Sequence, residues 1–92
     1  MLSVGSNSLL LACIYKDYDY PRQMDFLQKV SDCFKDRLTV CVPDEHSLKP
    51  LMKNLNVIGT PTFLIFRHGK EQARYLGKAT WESLLSFVKE FA

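Results

Sequence analysis

Apolar and polar positions along the 92 residues change period several times, and each change marks an element. Leu9 to Tyr15 (LLLACIY) is a continuous apolar run, the pattern of a strand covered on both faces, as parallel sheets require. Asp17 to Pro21 breaks it. Asp19 suits an N-cap, and Pro21 suits a first helical turn, where a missing N–H costs little. Met24, Leu27, Val30, Ser31 and Phe34 then recur at helical spacing, flanked by Phe26 and Cys33, and the helix should end near Lys35 to Arg37.

Leu38 to Val42 (LTVCV) reads as the next strand, stopped by Pro43 and Asp44. Ser47 is placed to cap a short helix carrying Leu48, Leu51, Met52 and Leu55, which puts Pro50 in its first turn. Pro61 opens a third strand through Phe66, as a residue without a ladder donor is expected to. His68-Gly69 is a two-residue turn, so Glu71 to Leu76 should return antiparallel. After Gly77, Thr80 caps a last helix whose buried face is Trp81, Leu84, Leu85, Val88 and Phe91. The order is βαβαββα: an α/β fold with a right-handed parallel crossover, a terminal antiparallel hairpin, and helices on both faces of a mixed four-stranded sheet.

Composition narrows the class. The length allows one small domain, here residues 1–92 with 1–8 as an N-terminal extension. With 47% apolar and 24% charged residues the chain is globular in character. A formal charge of +2, with Lys and Arg scattered, gives no basic patch for nucleic acid. No apolar stretch approaches the roughly 20 residues that span a bilayer, and Met1 to Ser8 lacks the regions of a signal peptide. Cys13, Cys33 and Cys41 are an odd number of thiols in apolar segments, which favours reduced core cysteines in the cytoplasm over a disulfide framework. No Cys-x-x-Cys or clustered His supports a metal, and Asp17 with Asp19 lacks a third ligand, so no metal or cofactor is expected.

Ile58-Gly59-Thr60-Pro61-Thr62 running into Phe63 to Gly69 resembles the cis-proline strand of the thioredoxin superfamily. With Leu38-Thr39-Val40 and Gly77 at matching spacing, the chain from Leu27 to Ala92, roughly two thirds of it, is similar to a thioredoxin without gaps. Three departures stand out. In that family a Cys-x-x-Cys motif sits where the first core helix begins, because a helix N-terminus lowers a thiol's pKa. Here the motif maps onto Asp17–Tyr20 or Asp19–Arg22, and neither contains a cysteine. The buried acid of the preceding strand is also missing from Leu9 to Ile14. Thiol-disulfide exchange needs an attacking thiolate and a resolving thiol, so the resemblance implies a redox-inactive member with no catalytic residues.

The third departure is an N-terminal strand and helix with no counterpart here, which leaves Leu38 to Val42 as an open edge. Met1 to Ser8 should fold over it, or a partner or second copy should pair with it as a homodimer. The expected function is docking of a protein or extended peptide against the proline loop and the tyrosine loop that faces it, using Tyr18, Asp19, Tyr20, Ile58, Thr60 and Pro61. The alternative is a thiol-related, glutathione-using enzyme with Tyr18 or Tyr20 in place of the nucleophilic cysteine.

Overall fold

A computed structural model describes residues 8–91. The elements are β1 (Ser8–Cys13), α1 (Tyr20–Cys33), β2 (Leu38–Cys41), α2 (Glu45–Asn54), β3 (Thr62–Arg67), β4 (Lys70–Leu76) and α3 (Trp81–Phe91). They form one mixed sheet in the order β2-β1-β3-β4. β1 runs parallel to β2 from Ser8↔Leu38 to Leu11↔Cys41, and antiparallel to β3 from Ser8↔Arg67 to Cys13↔Thr62. β3 and β4 make the expected hairpin, and His68 (φ 55) and Gly69 (φ 75) supply the two left-handed residues of a tight primed turn.

Alternation along the strands sorts the core into two layers. Leu10 and Ala12 join Phe63 and Ile65 beneath α1 and α3, where they meet Leu27, Val30, Leu84 and Val88. Leu11 and Cys13 point the other way with Leu64, into the layer that α2 covers through Leu48 and Met52 and the loop after it through Val57. One helix does not cover a whole face. Leu9, Leu11, Leu51, Leu55 and Phe66 are left lining an open apolar groove of about 420 Å³. Among the described residues no helix is long and apolar enough to cross a membrane.

Three expectations are corrected. Asp44, not Ser47, caps α2: its carboxylate accepts the Ser47 N–H at 2.9 Å. The helix therefore starts at Glu45, and Pro50 lies inside it and not in its first turn. Asp19 occupies the N-cap position of α1, but its backbone is already in the α region and its side chain caps nothing. Cys13 is buried as expected and Cys33, on the flank of its helix, is exposed; the correction concerns Cys41, expected in the core and found exposed. Cys33 closes α1 on its outward side, and Cys41 lies on β2, an edge strand beyond the reach of α2. Of Met1 to Ser8, expected to cover that edge as an extension, Ser8 is instead the first residue of β1, and Met1 to Asn7 lie outside the described residues.

Candidate functional site

Strand direction brings four loops to one end of the sheet. Cys13, the last residue of β1, pairs with Thr62, the first of β3, and Thr62 pairs with Leu76, the last of β4. The loops after β1, before β3 and after β4 thus leave side by side, together with the loop after the parallel strand β2. In open α/β sheets this is the end at which ligands bind.

Thr60-Pro61 is a cis peptide bond at the centre of this surface. Pro61 is buried, and its carbonyl accepts the Gly77 N–H at 2.8 Å. Gly77 has φ 96, a backbone that L side chains adopt only with strain, so the residue type is set by the backbone conformation of this loop. Thr62 fixes the other flank, donating its hydroxyl to the Gly59 carbonyl at 2.7 Å.

Lys78 carries the connection on to the tyrosine loop. Its ammonium lies 2.8 Å from the Tyr18 hydroxyl and 4.0 Å from the centroid of the same ring. That hydrogen bond, with smaller help from the negative charge at Asp19 and Asp17, pushes the Lys78 pKa above its ordinary value. A continuous path, Tyr18 to Lys78 to Gly77 to Pro61, therefore joins the two loops. Tyr18 is 87% exposed, Ile58 on the approach to Thr60 is 94% exposed, and Leu76 is 62% exposed. Apolar side chains this open beside a buried proline form a surface suited to contact with another chain.

The other expected site residues point elsewhere. Tyr20 is half-buried and lines a separate recess of about 250 Å³ with Ile14, Met24, Val42 and Pro43. Asp19 is buried, with one carboxylate oxygen accepting from Gln23 Nε2 at 3.1 Å and the other 3.6 Å from Arg22 Nε. Asp17 does the local turn work, taking the Asp19 N–H at 2.9 Å. Because α1 begins at Tyr20, only the register Asp19–Arg22 opens at the helix N-cap. Asp19 and Arg22 are the two ends of that register, and they lie within 3.6 Å of each other.

Gln23 is the residue that sequence reasoning passed over. It is 1% exposed, and its amide also donates to the Ala79 carbonyl at 3.0 Å, tying the first turn of α1 to the loop that carries Lys78. Its signal was positional: Gln23 occupies the core-facing series of Leu27, Val30 and Phe34 one turn earlier, where a polar side chain needs a partner. Gly77 and Lys78 likewise belong to the surface, although only the proline loop and the tyrosine loop were expected.

Burial pushes the Cys13 thiol pKa up, against an opposing effect of Arg74, the direction that disfavours the nucleophilic thiolate. Among the described residues no group of His, Cys, Asp and Glu has the arrangement of a metal site.

Comparison with known proteins agrees with this architecture. The thioredoxin family model matches residues 22–90. The germline-specific thioredoxin Deadhead of Drosophila melanogaster superposes with a TM-score of 0.84 at 15% identity, over 95% of this chain and 83% of its own. Oxidised thioredoxin from Plasmodium falciparum gives 0.81 at 17% identity, over 96% of this chain and 85% of its own. At these identities the likeness shows the fold alone. In sequence, 46 residues are 37% identical to Bloodstream-specific protein 2 of Trypanosoma brucei brucei, a match spanning 50% of this chain and 9% of that protein.

Proposed function

The chain belongs to the thioredoxin family, and from that premise we propose that it is a non-catalytic docking domain, one that holds an extended segment of a protein against its proline loop. The observation that carries the reading is an acid and a base, Asp19 and Arg22, at a helix start that holds no cysteine. Asp19 and Arg22 occupy the helix start where a dithiol would act, and the Asp19 carboxylate is held by Arg22 and Gln23. A carboxylate cannot attack a disulfide, and the burial of the Cys13 thiol disfavours its thiolate.

What the surface retains is geometry for holding a chain. Thr60 precedes the buried Pro61 at the sheet end, so its backbone is placed to pair with an extended segment, a form of β-augmentation. Tyr18, Ile58 and Leu76 offer apolar contacts, and the Tyr18 ring is held in place by Lys78. Rigid aromatic side chains contribute contact area at low entropic cost. The docking reading places this activity in the cytoplasm, where the exposed Cys33 and Cys41 stay reduced.

Two measurements test it. The protein should show no turnover of insulin disulfides with dithiothreitol as reductant; reduction at a thioredoxin-like rate would overturn the reading. On an immobilised library of extended peptides, wild-type protein should select a subset that Tyr18→Ala and Lys78→Ala variants bind more weakly. Equal binding by all three proteins would remove the surface from consideration.

A further inference from the structure

The two edges of the sheet are built differently. β4 is guarded: Lys70, Glu71 and Gln72 are exposed, and its pairing with β3 shifts register at Ile65/Phe66. Charged side chains and bulges are the usual devices that keep an edge from pairing. β2 has neither. Leu38-Thr39-Val40-Cys41 is uncharged, contains no proline, and keeps a regular register with β1.

Its backbone groups are also directed outward. The Ser8 N–H donates to the Arg37 carbonyl at 2.9 Å, and from there the parallel ladder alternates, so Thr39 and Cys41 bond toward β1 while Leu38 and Val40 face away. The Leu38 N–H is taken by the Phe34 carbonyl at 2.8 Å. That leaves the Val40 N–H and carbonyl, with the Leu38 carbonyl, facing outward with no neighbouring strand among the described residues.

Charge indicates which strand fits. β2 runs from a basic end, Lys35 and Arg37, where Asp36 still leaves a net positive charge, to an acidic end, Asp44 and Glu45; all five are exposed. An incoming strand is matched when it is antiparallel and carries the same basic-to-acidic order. A second copy of β2 meets both conditions. We propose that the β2 edge is a homodimer interface in which two copies pair antiparallel about a twofold axis at Val40, merging their sheets into one. Val40 exchanges both of its backbone hydrogen bonds with Val40 of the second copy, and Cys41 comes opposite Thr39 of that copy. Lys35 of each copy then comes opposite Glu45 of the other, and Arg37 lies diagonal to Asp44 and beside Asp36, which comes opposite Asp44, an isologous contact.

This inference rests on β2 and not on the docking surface, so either can fail alone. Light scattering coupled to size exclusion, on the full chain from micromolar to millimolar concentration, should give a mass rising to twice 10.6 kDa. Val40→Pro should hold it at the single-chain mass with an unchanged circular dichroism spectrum, because the lost N–H faces outward. Lys35→Glu and Glu45→Arg should each raise the dimer Kd about tenfold, since every pair occurs twice by symmetry, and together in one chain they should restore it. A single-chain mass at every concentration would overturn the proposal, as would a dimer that ignores Val40→Pro or a double variant that stays weak. A chain that dimerises only after Met1 to Asn7 are deleted would also overturn it, by assigning the edge to the chain's own N-terminus.

Discussion

Replacing Gln23 by Leu tests how the docking surface is held together. The side chain makes two donor contacts, to the Asp19 carboxylate at 3.1 Å and to the Ala79 carbonyl at 3.0 Å, with almost no solvent access. A hydrogen bond to a charged group is worth about 1.5–3 kcal/mol, and stranding a buried acceptor such as the Ala79 carbonyl costs about 1–3 kcal/mol. Leucine recovers roughly 1 kcal/mol through apolar burial at a site beside Leu27. The net loss should be about 2–5 kcal/mol, which for a domain this size lowers Tm by roughly 10 °C or more. Trp81 stands two residues beyond Ala79, its ring centroid 6.3 Å from that of Phe26, so urea unfolding followed by its fluorescence reads the affected region directly. Gln23→Glu separates shape from hydrogen bonding: it sets two carboxylates together and should be unstable at neutral pH, regaining part of the loss in acid, where the pair holds a proton. If Gln23→Leu unfolds within about 0.5 kcal/mol of wild type, the clamp described here does not exist.

Three further outcomes are expected. Arg74 holds Glu71 at 2.6 and 2.7 Å and depresses its carboxyl pKa, so the pair's stabilisation is present above the ordinary glutamate value and is lost as pH falls through the lowered one. Urea midpoints of wild type and Glu71→Gln should therefore differ at pH 7 and converge in strong acid; a constant difference across that range contradicts the assignment. Native protein should present two thiols to a disulfide reagent, Cys33 and Cys41, and a third, Cys13, only after unfolding; three at once would place Cys13 outside the core. Gly77→Ala should cost about 1–2 kcal/mol by urea titration from backbone strain alone, since nothing lies within 4 Å of the added methyl group, and an unchanged midpoint would remove the constraint assigned to φ 96.

Local features carried most of the fold into the sequence. The LLLAC run of β1 reads as a strand buried on both faces because its alternate residues enter two different layers, Leu10 and Ala12 on one side and Leu11 and Cys13 on the other. His68-Gly69 and Thr80 are legible for the same reason: a primed turn and a helix cap depend on neighbours three residues away at most, and the Thr80 hydroxyl does accept the Ser83 N–H at 3.1 Å. Asp44 was misread because Ser47 offers the same capping chemistry three residues on, and pattern alone does not rank them. Cys41 escaped because its exposure depends on where α2 ends over the sheet. Gln23 and Lys78 escaped for a related reason: their partners, Ala79 and Tyr18, are distant in sequence, and only the strand order brings them together.

The most direct test of the account is an amide NMR titration of the full chain with an extended peptide selected from the library. Shifts centred on Thr60, Gly77, Lys78 and Tyr18, and abolished by Tyr18→Ala, are the predicted result. Shifts confined to Leu38–Cys41, or none at saturating peptide, would contradict docking at the proline loop.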